Sequence, residues 1–567
     1  MVRLRYVFGL LIVLLSMGNL QAQVITSRPG ADTMRVVNLI NADRLSYSRP
    51  DSTTELQMLA GNVQLKQDNT IFYCDSAVFN KKTRFIEAFG KVHINDNDSV
   101  HIYSNYLQYY VDTKMAYLKK NVKLTDAKTT LFTEDLQYDL NTKIGEYHNG
   151  GRVINEQSVL TSRDGTYYAE LKDVYFRNNV NLKDPKYQLK ADSLLYNTTS
   201  QLATFIGPTD IIDSAKRTIK TTEGYYDLRN RKAFFSKRPT ITDGPVKVIA
   251  NTIDTDDSTG ISKLRGNVVY VDSSQGFSIL ANYIDANRSQ GSFLATQHPL
   301  MIIKQDKDSV YITGDTMYSG RLSSLDSIVT KDTIKSQVVM NAPEVQNTAS
   351  ANNANDSTDR YFQVYPRVRI FSDSMQAVSD SLWYSGKDSI FRLFKDPVMW
   401  ASNSQITGDT IYLYTKNKKP DRLRVFENGL AINLSDSNMY NQIKGNMLNG
   451  YFKDGEIDYM RAQGNAESIY YVKDEKDALV GINNATSDII DIRFKNKELN
   501  KVVFISEVSG TMYPVNQAAE ENKYLRGFKW QEARRPKTKY ELFFDEVPQV
   551  PKVPIDSVLT PPVVNQP

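Results

Sequence analysis

Cysteine is almost absent from this sequence, which limits how the fold can be held together. Cys74 is the single cysteine among 567 residues, so no intramolecular disulfide can form. It stands beside Asp75 in a predicted strand with no activating partner in view, which indicates a buried structural thiol rather than a nucleophile. Stability must therefore come from backbone hydrogen bonds and apolar burial.

Motifs for catalysis and metal binding are missing as well. The four histidines show no metal-ligand spacing, and the sequence has no P-loop, no G-x-G-x-x-G and no G-x-S-x-G. His93 and His101 flank a polar turn and are predicted to be solvated. We expect no cofactor, no metal site and no enzymatic activity. A carbohydrate-active β-helix enzyme is disfavoured because paired catalytic carboxylates are missing.

Neither sign of charge is in large excess. The 69 Lys and Arg residues nearly balance the 65 Asp and Glu residues, for a formal net charge of +4. Removing Arg3 and Arg5 with an export signal would lower this to +2. This balance argues against a nucleic-acid partner.

Residues 1–22 have the pattern of an export signal. Arg3 and Arg5 precede an apolar run over residues 7–15, and small residues around Ala22 suit a cleavage site. The run is too short to span a bilayer comfortably, which favours cleavage over a retained inner-membrane anchor. Gln23 follows the predicted cleavage site, where a lipoprotein would need a cysteine, so we expect no lipid anchor there. We therefore expect a periplasmic protein.

The sequence is dominated by a repeated phrase. An Ala/Ser-Asp/Asn-x-hydrophobic-x-Tyr segment is followed about 15 residues later by hydrophobic-x-Gly/Asn-x-Val-x-hydrophobic, first at residues 42–47 and 59–65. A period of about 30 residues predicts stacked β-layers, here an elongated all-β jellyroll stack of about fourteen units. The polar marker of the phrase recurs at Asp43, Asp75, Asn105, Asp135, Asp164, Asp192, Glu223, Asn251, Asn282, Asp315, Asp380 and Asp409, and more weakly at Asn446 and Asn484.

Each unit alternates apolar and polar residues with a period of two, which predicts a half-buried sheet. Residues that tolerate positive φ recur mid-strand, as at Gly61-Asn62 and Gly90-Lys91, and predict a crease that folds the apolar face inward. In residues 394–400 and 426–432 the same alternation places the even-numbered residues on the inward face. The inward face could be the dry core of a closed solenoid or the lining of an open apolar groove. The predicted groove residues are Leu59, Val63, Leu65, Ala88, Val92, Ile94, Val122, Leu124, Val180, Leu182 and Val268.

The recurring Asp/Asn marker could also be a ladder of catalytic acids or metal ligands. Catalysis needs two carboxylates at a defined separation, whereas here Asn replaces Asp freely. Asp and Asn share turn-capping side chains, so a structural role is favoured.

The organisation of the chain follows from the repeats. We predict arrays over residues 38–320 and 361–513, separated by a partly disordered insertion at 321–360, because the step from Asp315 to Asp380 is 65 residues. One unit there is either degenerate or displaced by a loop. Residues 514–567 form a basic segment and a Pro-rich tail. The basic segment is predicted to be a solvated linker, or alternatively a contact for an anionic membrane or a partner.

The repeated pattern resembles the OstA-like family of lipopolysaccharide-transport proteins. Four segments carry the likeness: residues 42–47, 61–63, 191–196 and 266–268. The resemblance implies a β-jellyroll or "β-taco" whose apolar interior accepts lipid acyl chains and passes lipopolysaccharide to the outer membrane. It also implies as partners lipopolysaccharide or another outer-membrane lipid, other OstA-like jellyrolls and the outer-membrane translocon. The alternative from another class is a structural β-solenoid, such as an adhesin, with a closed core.

The N-terminal edge is the predicted contact with a partner jellyroll. Val36, Val37 and Leu39 belong to a bare apolar strand that no preceding helix covers, and such an edge invites strand addition. The C-terminal edge is expected to be protected by the residues that follow it.

Overall fold

The computed structural model describes residues 36–546 except 127, 306–307, 326–356, 418, 454–455, 475, 477 and 496–497. The predicted export signal, the Pro-rich tail after residue 546 and most of the predicted insertion lie outside the described residues. The chain divides into two compact units. Unit 1 comprises Met1–Ala127 and Asp135–Thr142, and unit 2 comprises Lys128–Glu134 and Lys143–Pro567.

The prediction of an all-β fold is confirmed, because nearly all regular structure is β-strand. The strands up to the predicted insertion are β1 Asn38–Asn41, β2 Arg44–Ser48, β3 Leu56–Gln67, β4 Thr70–Asn80, β5 Phe85–Asp96, β6 Val100–Tyr110, β7 Met115–Asp126, β8 Thr129–Asp139, β9 Ile144–Tyr147, β10 Gly151–Asn155, β11 Ser158–Ser162, β12 Asp164–Tyr168, β13 Asp173–Lys183, β14 Tyr187–Asn197, β15 Leu202–Phe205, β16 Thr209–Asp213, β17 Thr218–Thr221, β18 Glu223–Asp227, β19 Lys232–Ser236, β20 Thr240–Asp243, β21 Val246–Ile249, β22 Thr252–Asp256, β23 Ile261–Asp272, β24 Phe277–Asn287, β25 Ser292–Thr296, β26 Leu300–Lys304, β27 Ser309–Thr313 and β28 Thr316–Arg321.

The strands after the insertion are longest from β37 to β40. They are β29 Arg360–Tyr365, β30 Val368–Phe371, β31 Gln376–Ser379, β32 Ser381–Ser385, β33 Ile390–Phe394, β34 Val398–Ala401, β35 Ser404–Thr407, β36 Thr410–Lys416, β37 Lys419–Asp436, β38 Met439–Lys453, β39 Glu456–Lys473, β40 Leu479–Lys495, β41 Glu498–Ile505 and β42 Ser509–Pro514.

Among the described residues, helical structure is confined to short pieces. Residues 322–325 form one helical turn, and 3₁₀ helices occupy Ser357–Asp359, Val515–Gln517, Glu520–Asn522, Glu532–Arg534 and Lys539–Glu546. Within the described ranges, no helix has the length and apolar character needed to cross a membrane.

Adjacent strands pair antiparallel, and each long strand carries a bend. In the β3–β4 ladder the register runs from Leu56↔Asn80 to Gln67↔Thr70 and shifts between Ala60 and Val63. At several bends a proline interrupts the ladder, because it has no N–H to donate, and the long strand is divided into two short ones. Such prolines are Pro208, Pro239, Pro299, Pro366 and Pro397.

The insertion interrupts a hairpin and leaves the repeat around it intact. Arg321 at the end of β28 pairs with Arg360 at the start of β29. Asp359 accepts hydrogen bonds from the backbone N–H and the hydroxyl of Ser323, at 2.8 Å each. The long step in the marker therefore reflects a displaced unit and not a degenerate one. The two flanking arginines, which the sequence interpretation put in the insertion, belong to the array.

The two halves of each bent strand build two walls. In unit 1 the A wall consists of residues 63–67, 70–74, 92–96, 100–104 and 122–126. The B wall consists of residues 56–60, 76–80, 85–89, 106–110 and 115–119. The corresponding strand halves of unit 2 carry the same names. The hairpin turns at the far end of each wall from the bends are its rim.

Candidate lipid-binding interior

The predicted crease is present as a pair of residues with positive φ. Gly61 and Asn62 have φ of +77° and +45°, and Gly90 and Lys91 have +69° and +41°. The pairing register shifts at both places, as in a β-bulge. Glycine adopts this left-handed conformation without strain and asparagine tolerates it, which is why the sequence signal was readable here.

Several bends carry residues that give no such signal. The same pair of positive φ angles occurs at Lys237-Arg238, Gln297-His298, Lys395-Asp396 and Ser506-Glu507, none of which was recognised from the sequence. At another bend the pair is Glu427-Asn428. The fold imposes the bend at these positions whatever the local residue preference.

The recurring Asp/Asn marker braces the bend of the neighbouring strand. The Asp43 N–H donates to the Gly61 carbonyl at 2.9 Å, and the Asn62 amide donates to the Asp43 carboxylate at 3.1 Å. A Cβ added to Gly61 would lie 2.1 Å from that carboxylate. Asn178 donates to Asp164 in the same way, at 2.8 Å. These contacts support the structural interpretation of the marker over the catalytic one.

The predicted groove positions all lie in the apolar core. Their relative exposure ranges from 0% for Ile94 to 5% for Leu65. This burial agrees with the inward face that the period-two pattern predicts for these positions. Their contact with lipid stays a prediction, because the same burial is expected of a closed core.

In unit 1 the side chains of the two walls meet across the interior. Phe72 lies on the A wall and Tyr109 on the B wall, and their ring centroids are 4.7 Å apart. In the strand that contains Tyr109, the residue in the same row as Phe72 is Ile102. On a flat sheet Tyr109 would lie about 24 Å along the strand from Ile102, too far to touch Phe72. The sheet is therefore folded along the crease, and its interior is filled by side chains.

Polar contacts also join the two rims of unit 1. Gln67 donates to the carbonyl of Val111 at 3.2 Å and accepts from the Tyr109 hydroxyl at 2.5 Å. Tyr138 donates to Asp96 at 3.2 Å. Gln67 and Asp96 are 2% and 4% exposed, so these hydrogen bonds are buried. We call these rim-to-rim contacts the clasps.

Unit 2 has clasps of the same kind. Asn155 donates to the carbonyl of Thr198 at 2.7 Å. Further along, Arg217 donates to Asp257 at 2.8 Å, and Asp257 also accepts from Tyr226 at 2.8 Å. Burial raises the pKa of Tyr226, and its neighbours add to that shift. A buried ion pair is costly to break, so this clasp resists opening.

Packing accounts for the titratable side chains of His93 and Cys74. His93 is half-buried rather than freely solvated as predicted, because its ring is stacked between Tyr73 and Tyr103, with centroids at 5.2 and 4.4 Å. Its Nε2 lies 3.2 Å from Nδ1 of His101. Burial and the nearby charge of His101 lower the pKa of His93.

Cys74 is buried, and burial together with Asp75 raises its pKa to about 12. Among the described residues, no group of three or more His, Cys, Asp or Glu side chains could hold a metal ion.

Residues 515–546, here called the strap, pack back onto the A wall of unit 2. They are not the solvated linker expected from the sequence. Gln442 donates to the carbonyl of Lys523 and accepts from the N–H of Leu525, at 2.8 Å each. Gln405 makes the same pair of bonds with Lys529 and Gln531, at 2.7 Å each. Each glutamine amide thus serves as a partner for strap main chain.

The strap continues from these glutamines towards β30. Arg535 donates to Gln376 at 2.9 and 2.7 Å, and Arg369 donates to the carbonyl of Glu541 at 3.2 Å. Leu542, near the end of the strap, is 3% exposed. No feature of the basic sequence distinguished this docking from a free segment.

The strap covers an apolar outer face that the sequence interpretation had turned inward. Trp400 and Gln405 are cross-strand partners, and Gln405 contacts the strap. Trp400 and Val398, both 0% exposed, therefore face the strap, and Met399 between them faces the interior. The phase predicted for residues 394–400 is wrong, because the strand is buried on both faces and does not alternate.

Both ends of the array expose apolar residues. At the N-terminal edge β1 and β2 pair with β3, and Val36 and Leu39 are 61% and 44% exposed, while Val37 is half-buried. At the C-terminal edge β41 and β42 pair with β40, and Val508 and Met512 are 58% and 48% exposed. The predicted protection of the C-terminal edge is wrong, because the strap runs back along the A wall and leaves that edge open.

Comparison with known proteins bears on the N-terminal part of the array. Residues 34–192 match the family model described as OstA-like protein. This stretch is OstA-like. The OstA-like stretch includes the bends at Gly61 and Gly90 and most of the predicted groove positions. None of the curated proteins compared with the chain matches it.

A solved structure also resembles the chain. It is that of LptH, the LptA-homologous periplasmic component of the lipopolysaccharide transport device from Pseudomonas aeruginosa. The identity is 12% and the TM-score is 0.19, with 27% of this chain and 82% of that chain covered.

Proposed function

We propose that this protein carries the acyl chains of lipopolysaccharide, or of another outer-membrane lipid, in its creased apolar interior during transport to the outer membrane. The observation that carries the proposal is the coincidence of the OstA-like stretch, residues 34–192, with a creased array whose predicted groove positions are apolar and buried. Each acyl CH₂ moved out of water contributes about 0.8 kcal/mol. Repeated layers offer many equivalent sites of this kind, so a chain can slide without a deep trap.

Loading requires the two walls to separate. The predicted groove side chains are at most 5% exposed, so an acyl chain enters only by displacing side chains that now touch each other. The clasps, such as Gln67 to Val111, lie where a chain would enter. The same closed interior favours the second candidate function, a structural β-solenoid with a dry core.

The partners follow from the same proposal. We place the protein in the periplasm, associated with the outer membrane, with other OstA-like jellyrolls and the outer-membrane translocon as partners. The bare N-terminal edge, with Val36 and Leu39 exposed, suits strand addition by such a jellyroll. Photo-crosslinkers at Val37 and Leu39 are expected to capture a jellyroll partner or a second copy of the chain. Crosslinks arising only from the open C-terminal edge would reverse this polarity.

The decisive experiment is lipid analysis of the purified full chain by mass spectrometry. Bound lipopolysaccharide or outer-membrane phospholipid is expected from wild type, and Val92→Asp should lose it because a charge would enter an apolar interior. Lys123→Asp, on the outer face, is the control and should retain lipid. A photo-crosslinker at Leu124, which adds no charge, should label lipid directly. Wild-type protein free of lipid after export, with no label at Leu124, would favour the dry solenoid.

A further inference from the structure

The outer face of the B wall in the last repeats carries a lattice of arginines and tyrosines. In one row across the strands, Tyr414 lies opposite Arg422, and Tyr459 lies opposite Arg493. In the next row, two residues further along the strands, Arg424 and Arg461 both lie opposite Asn449. We call this surface the arginine face: Tyr414, Arg422, Arg424, Tyr459, Arg461 and Arg493.

The guanidinium groups of this face lie over aromatic rings. Arg422 lies 3.9 Å from the ring centroid of Tyr414, and Arg493 lies 5.4 Å from that of Tyr459. Arg424 lies 4.7 Å from the centroid of Phe426. A stacked guanidinium keeps its in-plane N–H donors available for a carboxylate or phosphate, and it loses little conformational freedom on binding.

The positive charge of the face is only partly neutralised. Arg461 is paired with Asp491 through two hydrogen bonds of 2.7 and 2.8 Å. Within the part of the chain that the structure describes, Arg422, Arg424 and Arg493 have no carboxylate within ion-pairing distance. Three fixed cations on a flat, half-exposed sheet favour an anionic partner.

The position of the face adds a second constraint. Arg422 follows the B-rim hairpin between Lys416 and Lys419 by three residues, and Arg493 precedes the hairpin that starts at Lys495 by two. Lys416, Lys419 and Lys495 are exposed. A molecule whose apolar part lies in the interior could place its polar part over this rim and onto the arginine face.

We propose that the arginine face binds the phosphorylated saccharide of the glycolipid whose acyl chains the interior carries. This proposal rests on the proposed function, since it takes lipopolysaccharide as the cargo. A charged saccharide cannot enter an apolar interior without a large desolvation cost, so it must be held outside. Phosphate groups match the bidentate geometry of arginine, and the tyrosine hydroxyls can hydrogen-bond sugar hydroxyls.

The test uses the full chain and a probe that cannot use the interior. Fully deacylated lipopolysaccharide saccharide is titrated by calorimetry, beside the same saccharide after phosphatase treatment. The combined variant Arg422→Gln, Arg424→Gln, Arg493→Gln is expected to bind the phosphorylated probe about tenfold or more weakly than wild type. Arg152→Gln, Arg177→Gln, Arg265→Gln removes three charges from stacked arginines elsewhere in unit 2 and is the matched control. It should bind within about twofold of wild type.

Further arms make the result decisive. The combined variant Arg422→Lys, Arg424→Lys, Arg493→Lys should bind the phosphorylated probe with an affinity between those of wild type and the glutamine variant. The positive charge is kept in this variant, but the planar fork of arginine is lost. Equal binding by the glutamine variant and wild type, equal binding of the dephosphorylated probe, or tighter binding of single-stranded DNA of similar charge would each overturn the proposal. Loading of a fluorescent fatty acid, which has no saccharide, reports on the interior alone. If the fatty acid does not load, the proposed function is contradicted, whereas the saccharide titration still reports separately on the arginine face.

Discussion

The outer face of the A wall differs between unit 1 and the last repeats of unit 2. In unit 1 the central row is Tyr73, His93, Tyr103 and Lys123, and nothing in the described structure of that unit covers it. Tyr103 there is 38% exposed. In the last repeats the same face carries Val398 and Trp400, both fully buried under the strap.

The comparison teaches how one repeat serves two environments. The bends, the walls and the pairing register are of the same kind in both regions. What differs is the residue placed on the outward half of the period: aromatic and polar where water reaches it, apolar where the strap lies. A strand with both faces covered loses its alternation, as in the run Val398-Met399-Trp400.

The strap is held by polar contacts as well as apolar ones. Gln405 is 0% exposed and Gln442 is 4% exposed, and each amide donates to one strap carbonyl and accepts from one strap N–H. Buried polar groups are costly unless they are hydrogen-bonded, so these glutamines specify where the strap lies. On the open face of unit 1, polar side chains can be satisfied by water and impose no such requirement.

The largest difference between the two faces is expected for aromatic truncation. Trp400→Ala should lower the free energy of unfolding by about 3–5 kcal/mol, because it leaves a cavity beneath the strap. Tyr103→Ala, on the open face, should cost about 1 kcal/mol or less. Urea unfolding of the full chain measures both. Similar losses for the two variants would mean that the strap does not make the outer face part of the core.

An intermediate effect is expected from removing one strap contact. Gln405→Leu leaves the carbonyl of Lys529 and the N–H of Gln531 without their partner, which should cost about 1–3 kcal/mol. It should also speed hydrogen exchange at Gln531. The control is Gln64→Leu on the open face, for which a change within about 0.5 kcal/mol is expected. Unchanged exchange at Gln531 in the first variant would show that the strap is held by its apolar contacts alone.

The sequence predicted the layers better than it predicted their covers. Period-two alternation placed Val63, Val92 and Val122 correctly, because a half-buried strand must alternate. The bend at Gly61 was predicted and the bend at Lys237 was missed, because positive φ can be recognised in a sequence only where glycine or asparagine occupies the position.

The strap could not be predicted for a different reason. Its docking depends on main-chain groups meeting Gln405, which lies more than a hundred residues earlier in the chain. Neither partner is unusual in its own local sequence. The clasps are invisible for the same reason, since Gln67 and Tyr109 meet only after the sheet has folded along its crease.

The smallest expected effect separates the two faces by pH. The folded-state pKa of His93 lies below the ordinary value of 6.5, because its ring is partly buried on the open face and His101 is beside it. Below about pH 6.5 the unfolded state therefore binds more protons than the folded state, and the free energy of unfolding falls as the pH drops towards the folded pKa.

His93→Phe keeps the stacked ring and removes this titration. Its melting temperature should consequently fall less than that of wild type between pH 7.5 and pH 5.5. Equal falls in wild type and His93→Phe would mean that acid acts on the clasps or elsewhere, and that the open face contributes no pH sensitivity of its own.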